Sequence, residues 1–207
     1  MFYSHPELNQ MELIFRSYIL SFLVLFSSNV YSSTNNHFIS SDSLKTKKVL
    51  MIGNSFTFYW NLPQVIECMF QERNENITVD QRTIGGSNLA MHWILNKKEN
   101  YTIEKYDYLV LNDHSTNPLL NIDSCAKYIK KFIELSKENN SIPLIYGTWE
   151  YPYLKEISKN KKSNTMEILD SISSVNQAIY VPVGNAFKYV EESYPEINLY
   201  MDDNKHP

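Results

Sequence analysis

Strand-like and helix-like segments alternate along the chain from residue 47 onward, and this alternation limits the possible folds more than any other feature. Short apolar runs predict five strands, at 47–54, 76–84, 106–113, 142–149 and 178–185. Five helices are predicted between and after them, at 62–74, 87–96, 121–140, 164–178 and 186–194. A helix between two strands supplies the crossover that a parallel pair of strands needs. The chain is therefore predicted to be an α/β protein.

The repeated strand–helix units predict a five-stranded parallel sheet with helices on both faces. Crossovers of this kind are right-handed, and we expect the strand order 2-1-3-4-5 of a flavodoxin-like, three-layer α/β/α sandwich. In the second predicted strand, the polar Thr78, Asp80 and Arg82 alternate with Ile77, Val79 and Gln81, which is typical of a strand at the edge of the sheet. The clearest amphipathic helix is 121–140, whose predicted inner face is formed by Ala126, Ile129, Phe132, Ile133 and Leu135.

The composition is that of a globular protein without an excess of basic residues. The 207 residues are enough for one domain with a buried core. The net charge of -4 gives no electrostatic reason to expect nucleic acid as a partner. No CxxC pair or histidine-rich cluster indicates a metal site. We expect neither a metal nor another cofactor.

Residues 1–32 are predicted to be a signal peptide. Arg16 precedes an apolar run at 18–26, and Val30 and Ser32 fit the small-x-small pattern of a cleavage site. The apolar run is short for a bilayer span. We therefore expect an exported protein, periplasmic or secreted, without a stable membrane anchor after cleavage.

Met11 is a better start for this leader than Met1, because the first ten residues make a poor basic region. Residues 33–46 are polar and are predicted to be a flexible lead-in. The folded domain is predicted to span 47–207.

Polar residues cluster where the predicted strands end. The carboxyl ends of parallel strands meet at one rim of the sheet, and ligands bind beyond that rim. The segments delivered there are Gly53-Asn54-Ser55, Gly85-Gly86-Ser87-Asn88, Asn112 to Asn117 and Gly147 to Glu150. The chain ends with Asp203 three residues before His206. We expect all of these segments to converge on one site.

These residue types are the ones that acyl transfer to a serine needs. The Ser55 hydroxyl is a poor nucleophile until a histidine accepts its proton. A carboxylate on the other ring nitrogen holds that histidine in one tautomer, and the spacing of Asp203 and His206 lets both lie on one turn. The oxyanion of the tetrahedral intermediate needs N–H donors already in place. The backbone N–H groups of Ser55 and Gly86 are suited to this, and an asparagine amide can add a third.

Four segments in this order resemble the SGNH (GDSL-like) hydrolase superfamily: "IGNSFTFYWNLP" at 52–63, "TIGGSNLAMHW" at 83–93, "YDYLVLNDHS" at 106–115 and "DNKHP" at 203–207. The resemblance is closer to a bacterial branch whose first block reads Gly-Asn-Ser-Phe-Thr. It implies that Ser55 is the nucleophile, His206 the base and Asp203 its orienting carboxylate, with the Gly86 N–H in the oxyanion hole. It also implies an esterase for small acyl groups, with acetyl groups on a carbohydrate among the expected substrates.

The third block and the ending depart from the family pattern. The usual Gly-x-Asn-Asp is absent, and the branch more often has a glutamine at the position of Asn112. Asn112 and Asn117 are both candidates for the side-chain oxyanion donor. The family pattern also continues beyond His-Pro with a final helix, whereas this chain stops at Pro207. We expect that helix to be missing, because the sequence is either a fragment or the product of a truncated gene. If the sequence is complete, His206 is expected to lie on a fraying end.

The roles of some residues near the predicted site can be interpreted in more than one way. His114 is a rival base, or else a substrate contact or a satisfied loop residue, whereas His92 is expected to be structural. The aromatic residues form either a platform for an acyl group or sugar, or packing under the loops; they are Phe56, Phe58, Tyr59, Trp60 and Trp149. Among these, Phe56, Trp60 and Trp149 join His114 as candidate substrate-binding residues.

Two matters stay open at the level of sequence. Cys68 and Cys125 fall in separate predicted helices, and their spacing does not tell whether they pair. The alternatives to an esterase are a non-catalytic carbohydrate- or envelope-binding protein with the same fold, and an inactive, truncated SGNH-fold protein.

Overall fold

Five parallel strands form one sheet in the order β2-β1-β3-β4-β5, which confirms the predicted order. The computed structural model describes residues 46–207, so the predicted signal peptide and almost all of the lead-in lie outside the described residues. The strands are β1 (Lys47–Gly53), β2 (Ile77–Thr83), β3 (Tyr108–Leu111), β4 (Ile142–Tyr146) and β5 (Ile179–Val181). Export therefore stays a prediction from the sequence.

Eight α-helices and two short 3₁₀ turns accompany the strands in the described part of the chain. The helices are α1 (Ser55–Phe58), α2 (Leu62–Glu72), α3 (Leu89–Glu99), α4 (Asn117–Leu120), α5 (Ile122–Glu138), α6 (Pro152–Ser158), α7 (Thr165–Val175) and α8 (Val183–Ser193). The 3₁₀ turns are Tyr59–Asn61 and Ile103–Lys105. None of these helices is both long and apolar enough to cross a membrane.

The sheet is covered on both faces, which gives the predicted three-layer α/β/α architecture. In β1, consecutive side chains point to opposite faces, and the whole run from Val49 to Ile52 is buried. On one face, Leu50 and Ile52 belong to a core cluster that includes residues of α3, α5 and α7. In β2, burial alternates with exposure, as predicted for an edge strand.

Helix α5 follows its predicted apolar pattern with two additions. Ile129, Phe132 and Ile133 are buried, and Ala126 and Leu135 are partly buried against the core. Cys125 and Ser136 are also buried. The Ser136 hydroxyl donates to the Ser141 carbonyl, so its burial leaves no unsatisfied donor.

The structure corrects the ends of several predicted elements. The third strand ends at Leu111 and the fourth at Tyr146, each earlier than expected. The fifth strand ends at Val181, because Pro182 has no N–H for the sheet and helix α8 begins at Val183. Helices α1, α4 and α6 were not predicted, since four to seven residues are too few to show a helical period.

The two cysteines do not pair. Cys68 is exposed on α2 and Cys125 is buried on α5, and both are free thiols. Burial raises the pKa of the Cys125 thiol, and the neighbouring Asp113 carboxylate raises it further. Cys125 therefore stays protonated and behaves as a small core residue.

Candidate active site

Ser55 stands at the carboxyl end of the interior strand β1, as the first residue of helix α1. The preceding Asn54 caps this helix, because its side-chain oxygen accepts a hydrogen bond from the Phe56 N–H at 3.1 Å. The Asn54 amide nitrogen also donates to the carbonyls of Ser87 and Asp113, at 3.2 and 3.0 Å. Asn54 thus ties the loops after β1, β2 and β3 together and fixes the position of Ser55.

Gly53 makes this turn possible because no side chain fits there. A Cβ atom at Gly53 would lie 2.3 Å from the Thr57 hydroxyl oxygen and 2.8 Å from the Asn112 Cβ. Thr57 and Asn112 are both buried, and the Thr57 hydroxyl donates to the Asn112 side-chain oxygen at 3.0 Å. The strand can therefore break here only with glycine.

The Ser55 hydroxyl is hydrogen-bonded to His206, and His206 to Asp203. The Ser55 Oγ lies 2.8 Å from the His206 Nε2, and the His206 Nδ1 lies 2.5 Å from the Asp203 Oδ2. Hydrogen bonds from the His206 ring and backbone lower the pKa of Asp203 to about 2. Asp203 is therefore an acceptor at neutral pH, which assigns the hydrogen to Nδ1 and leaves Nε2 to accept the Ser55 proton.

The expectation that His206 frays is wrong. His206 is 7% exposed, and its carbonyl accepts a hydrogen bond from the Met201 N–H at 2.8 Å. The Tyr59 ring stacks on the imidazole at a centroid distance of 4.1 Å, and Phe56 meets it edge-on at 5.2 Å. These contacts orient the ring toward Ser55.

A small, open depression lies over Ser55. It is lined by Asn54, Ser55, Phe56, Gly86, His114, Ser115 and Lys205. Gly86 has a φ of +68°, a conformation that favours glycine, and a side chain there would meet no other atom. Within residues 46–207, neither the Ser55 N–H nor the Gly86 N–H donates a hydrogen bond to another residue. Both are therefore free to bind an anionic oxygen.

Solved structures share this architecture at low sequence identity. A protein from Slackia heliotrinireducens described as an SGNH hydrolase matches with a TM-score of 0.62 and 22% identity, over 78% of this chain and 90% of that chain. An acetylxylan esterase from Geobacillus stearothermophilus matches with a TM-score of 0.60 and 15% identity, over 78% and 86%. The esterase EstA from Pseudoalteromonas sp. matches with a TM-score of 0.55 and 14% identity, over 78% and 87%.

The chain has the SGNH hydrolase fold. No protein-family model matches the sequence, and no curated protein matches it. The resemblance of the four short segments is therefore supported by the three-dimensional structure and not by extended sequence similarity.

Within this SGNH fold, Asn112 and Asn117 do not reach the depression. The Asn112 amide is buried, accepting from Thr57 and donating to the Asp113 carbonyl at 3.3 Å. The Asn117 amide is also buried and donates to the Asp113 carboxylate at 3.0 Å. The structure therefore brings neither predicted side-chain donor to Ser55.

Asp113 links the third loop to helix α3. Its carboxylate accepts from the Leu89 N–H at 2.8 Å, at the amino end of α3, where a negative charge is favoured. Its second oxygen accepts from Asn117. The Asp113 side chain is thus used to hold the loops after β2 and β3 together.

The three aromatic residues predicted to bind substrate occupy different positions relative to the depression. Phe56 lines the depression. Trp149 is buried between Phe56 and Phe187, with ring centroids at 4.3 and 4.2 Å, so it supports Phe56 from beneath. Trp60 is 68% exposed, and its indole N–H donates to the Pro207 carbonyl at 2.6 Å. Trp149 and Trp60 are absent from the lining of the depression.

His114 lines the depression but is not the partner of the Ser55 hydroxyl, which His206 contacts instead. The His114 Nδ1 lies 2.9 Å from the Thr116 hydroxyl oxygen. Burial lowers the pKa of His114, and the nearby Lys205 lowers it further, while Asp113 acts in the opposite direction. His114 is therefore neutral at pH 7.

Three residues that line the depression, Asn54, Ser115 and Lys205, were not among the predicted site residues. Ser115 follows His114 in the third block, and its hydroxyl lies 3.4 Å from the Tyr151 hydroxyl. The Lys205 ammonium lies 5.5 Å from the ring centroid of Phe56 and 5.6 Å from that of Tyr151. Lys205 lies between Asp203 and His206 in the terminal Asp-x-x-His segment. This position is the sequence signal that could have placed Lys205 near the site.

His92 is structural, as expected. It is buried, and its Nε2 lies 2.8 Å from both the Gly53 carbonyl and the Ser87 hydroxyl. Burial lowers the pKa of His92. In the part of the chain that the structure describes, no group of three or more His, Cys, Asp or Glu side chains could hold a metal ion.

Proposed function

We propose that this protein is a serine esterase that cleaves small acyl esters through an acyl-enzyme. The observation that carries the proposal is the line of hydrogen bonds from Asp203 through His206 to Ser55, next to a depression with two unused backbone N–H groups. Structural neighbours of this chain include esterases. Nucleophile, base, orienting carboxylate and oxyanion donors are the parts that this chemistry requires.

In the proposed mechanism, His206 Nε2 takes the Ser55 proton as Oγ attacks the ester carbonyl. Asp203 stabilises the imidazolium that forms. The carbonyl oxygen becomes an oxyanion and accepts hydrogen bonds from the Ser55 and Gly86 N–H groups. Collapse of this intermediate releases the alcohol, which takes the proton from His206. Water, activated by His206 in the same way, then hydrolyses the acyl-Ser55 ester.

The size of the depression favours a short acyl group. The enclosed space beside Ser55 is far below the range of about 300–1,000 Å³ that is usual for drug-sized ligands. The buried Phe56 and Trp149 pair closes it from one side. We propose acetyl esters as substrates, and the acetylxylan esterase among the structural neighbours makes acetylated carbohydrates a reasonable first choice.

The proposal predicts that the protein hydrolyses p-nitrophenyl acetate and that Ser55→Ala abolishes this activity. Loss of the nucleophile should lower kcat by at least about 10⁴-fold. Ser115→Ala is the matched control, because Ser115 lines the same depression without contacting His206, and this variant should keep covalent labelling by a fluorophosphonate probe.

Failure to hydrolyse any short-chain ester, together with absence of probe labelling, would contradict the proposed function. Binding of a saccharide that is unchanged in Ser55→Ala, with no labelling in the wild-type protein, would favour the non-catalytic binding role instead.

A further inference from the structure

We infer that the third donor of the oxyanion hole is the Nε2–H of His114. The inference rests on the proposed function, because it assigns a further catalytic residue to the same site. Two backbone N–H groups are free at Ser55 and Gly86, and the question is which side chain adds to them.

The asparagine amides around the site are already used. Asn54 donates to the Ser87 and Asp113 carbonyls, and its oxygen caps helix α1. Asn112 bonds to Thr57 and Asp113, and Asn117 bonds to the Asp113 carboxylate. Turning any of these amides toward Ser55 would break a buried hydrogen bond and leave a buried polar group without a partner. None of them is a ready donor.

His114 occupies the position that a side-chain donor needs. It follows β3, the strand next to β1, and it lines the depression together with Ser55 and Gly86. Within the described residues, the only hydrogen-bond partner of its imidazole ring is Thr116, and both contacts are made by Nδ1. The Nε2 atom has no partner there, so it is free for a bound substrate.

The Thr116 backbone fixes the tautomer of the ring. Its N–H donates to the His114 Nδ1 at 3.4 Å, and the Thr116 hydroxyl lies 2.9 Å from the same atom. A backbone N–H can only donate, so Nδ1 is an acceptor and the ring hydrogen resides on Nε2. A neutral imidazole with its N–H aimed at developing negative charge is an established way to polarise a carbonyl.

The assignment gives the two histidines of the site opposite roles. His206 Nε2 carries a lone pair and removes the Ser55 proton, whereas His114 Nε2 carries a hydrogen and keeps it throughout the reaction. A base must exchange its proton, and a donor need only present it. A glutamine can therefore replace His114 in the second role and cannot replace it in the first.

The test compares His114→Ala, His114→Gln and His114→Asn with the wild-type protein on p-nitrophenyl acetate. The glutamine amide extends about as far as Nε2, whereas the asparagine amide extends only to the position of Nδ1. We expect His114→Ala and His114→Asn to lower kcat by about 10²–10³-fold with KM changed by less than about threefold, and His114→Gln to recover at least about tenfold of that loss. Thermal unfolding of each variant checks that it is folded.

A long-range ¹H–¹⁵N NMR spectrum of the wild-type protein supplies a second readout that does not depend on turnover. We expect the Nε2–H tautomer of His114 at pH 7. An Nδ1–H tautomer, full activity in His114→Ala, or equal loss in His114→Gln and His114→Ala would overturn the inference while the proposed function stands. A wild-type protein that neither hydrolyses esters nor reacts with the fluorophosphonate probe would overturn both.

Discussion

Asp203 accepts three hydrogen bonds from residues of its own turn. One oxygen accepts from the backbone N–H groups of Lys205 and His206, each at 3.0 Å, and the other accepts from the His206 ring. Aspartate side chains commonly bond to backbone N–H groups two or three residues ahead. The three-residue spacing between Asp203 and His206 therefore orients the His206 ring through contacts within their own turn, independently of Ser55. A short segment can position the catalytic base in this way.

This geometry predicts that Asp203→Asn lowers kcat on p-nitrophenyl acetate by about 10²–10⁴-fold, because an amide no longer enforces the Nδ1–H tautomer or stabilises the imidazolium. Asp202→Asn is the matched control, since Asp202 is exposed and adjacent but has no contact with His206. It should keep wild-type activity. Equal loss in both variants would show that the effect comes from the net charge and not from the hydrogen bond.

The sign of the pH effect at Asp203 follows from its lowered pKa. A carboxyl whose pKa falls from 3.8 to about 2 on folding stabilises the fold above about pH 4, and that contribution is lost as the pH falls from 3.8 toward 2. The difference in Tm between wild type and Asp203→Asn should therefore be constant near neutral pH and shrink below pH 4. A difference that grows on acidification would contradict the assignment.

At the scale of elements, the junction between β1 and α1 is the tightest part of the site. Gly53→Ala should destabilise the protein by about 1–3 kcal/mol, because its Cβ would overlap buried atoms of Thr57 and Asn112. Gly85→Ala is the control, since the nearest atom to its Cβ would be 4.0 Å away on Phe58. Denaturant unfolding measures both, and equal stability of the two variants would contradict this account of the turn.

The order of elements was predictable from the sequence, whereas several of their ends were not. Apolar runs and helical spacing are local properties, so β1 to β4 and the inner face of α5 were read correctly in outline. The predicted fifth strand was too long, because Val183 is apolar and fits a strand pattern. In the structure, Val183 is the first residue of helix α8. Short helices such as α4 and α6 carry proline in the first turn, a signal that also fits loops.

At the scale of the molecule, the sheet order brings distant segments to one rim. Ser55 and His206 are 151 positions apart in sequence and are joined by a hydrogen bond of 2.8 Å. The resemblance to the SGNH superfamily pointed to this pair. It could not tell whether Asn112, Asn117 or His114 faces the site, because the orientation of each side chain decides this and not its residue type. That choice is made by tertiary hydrogen bonds to Asp113 and Thr116.

The most direct test of the account is the site of covalent modification by a fluorophosphonate probe, read by intact mass and peptide mapping. The account predicts one adduct, on Ser55, and much slower labelling in His206→Gln, which lacks the base. An unlabelled wild-type protein, or an adduct on another residue such as Ser115, would contradict the claim that Ser55 is the nucleophile of a serine esterase.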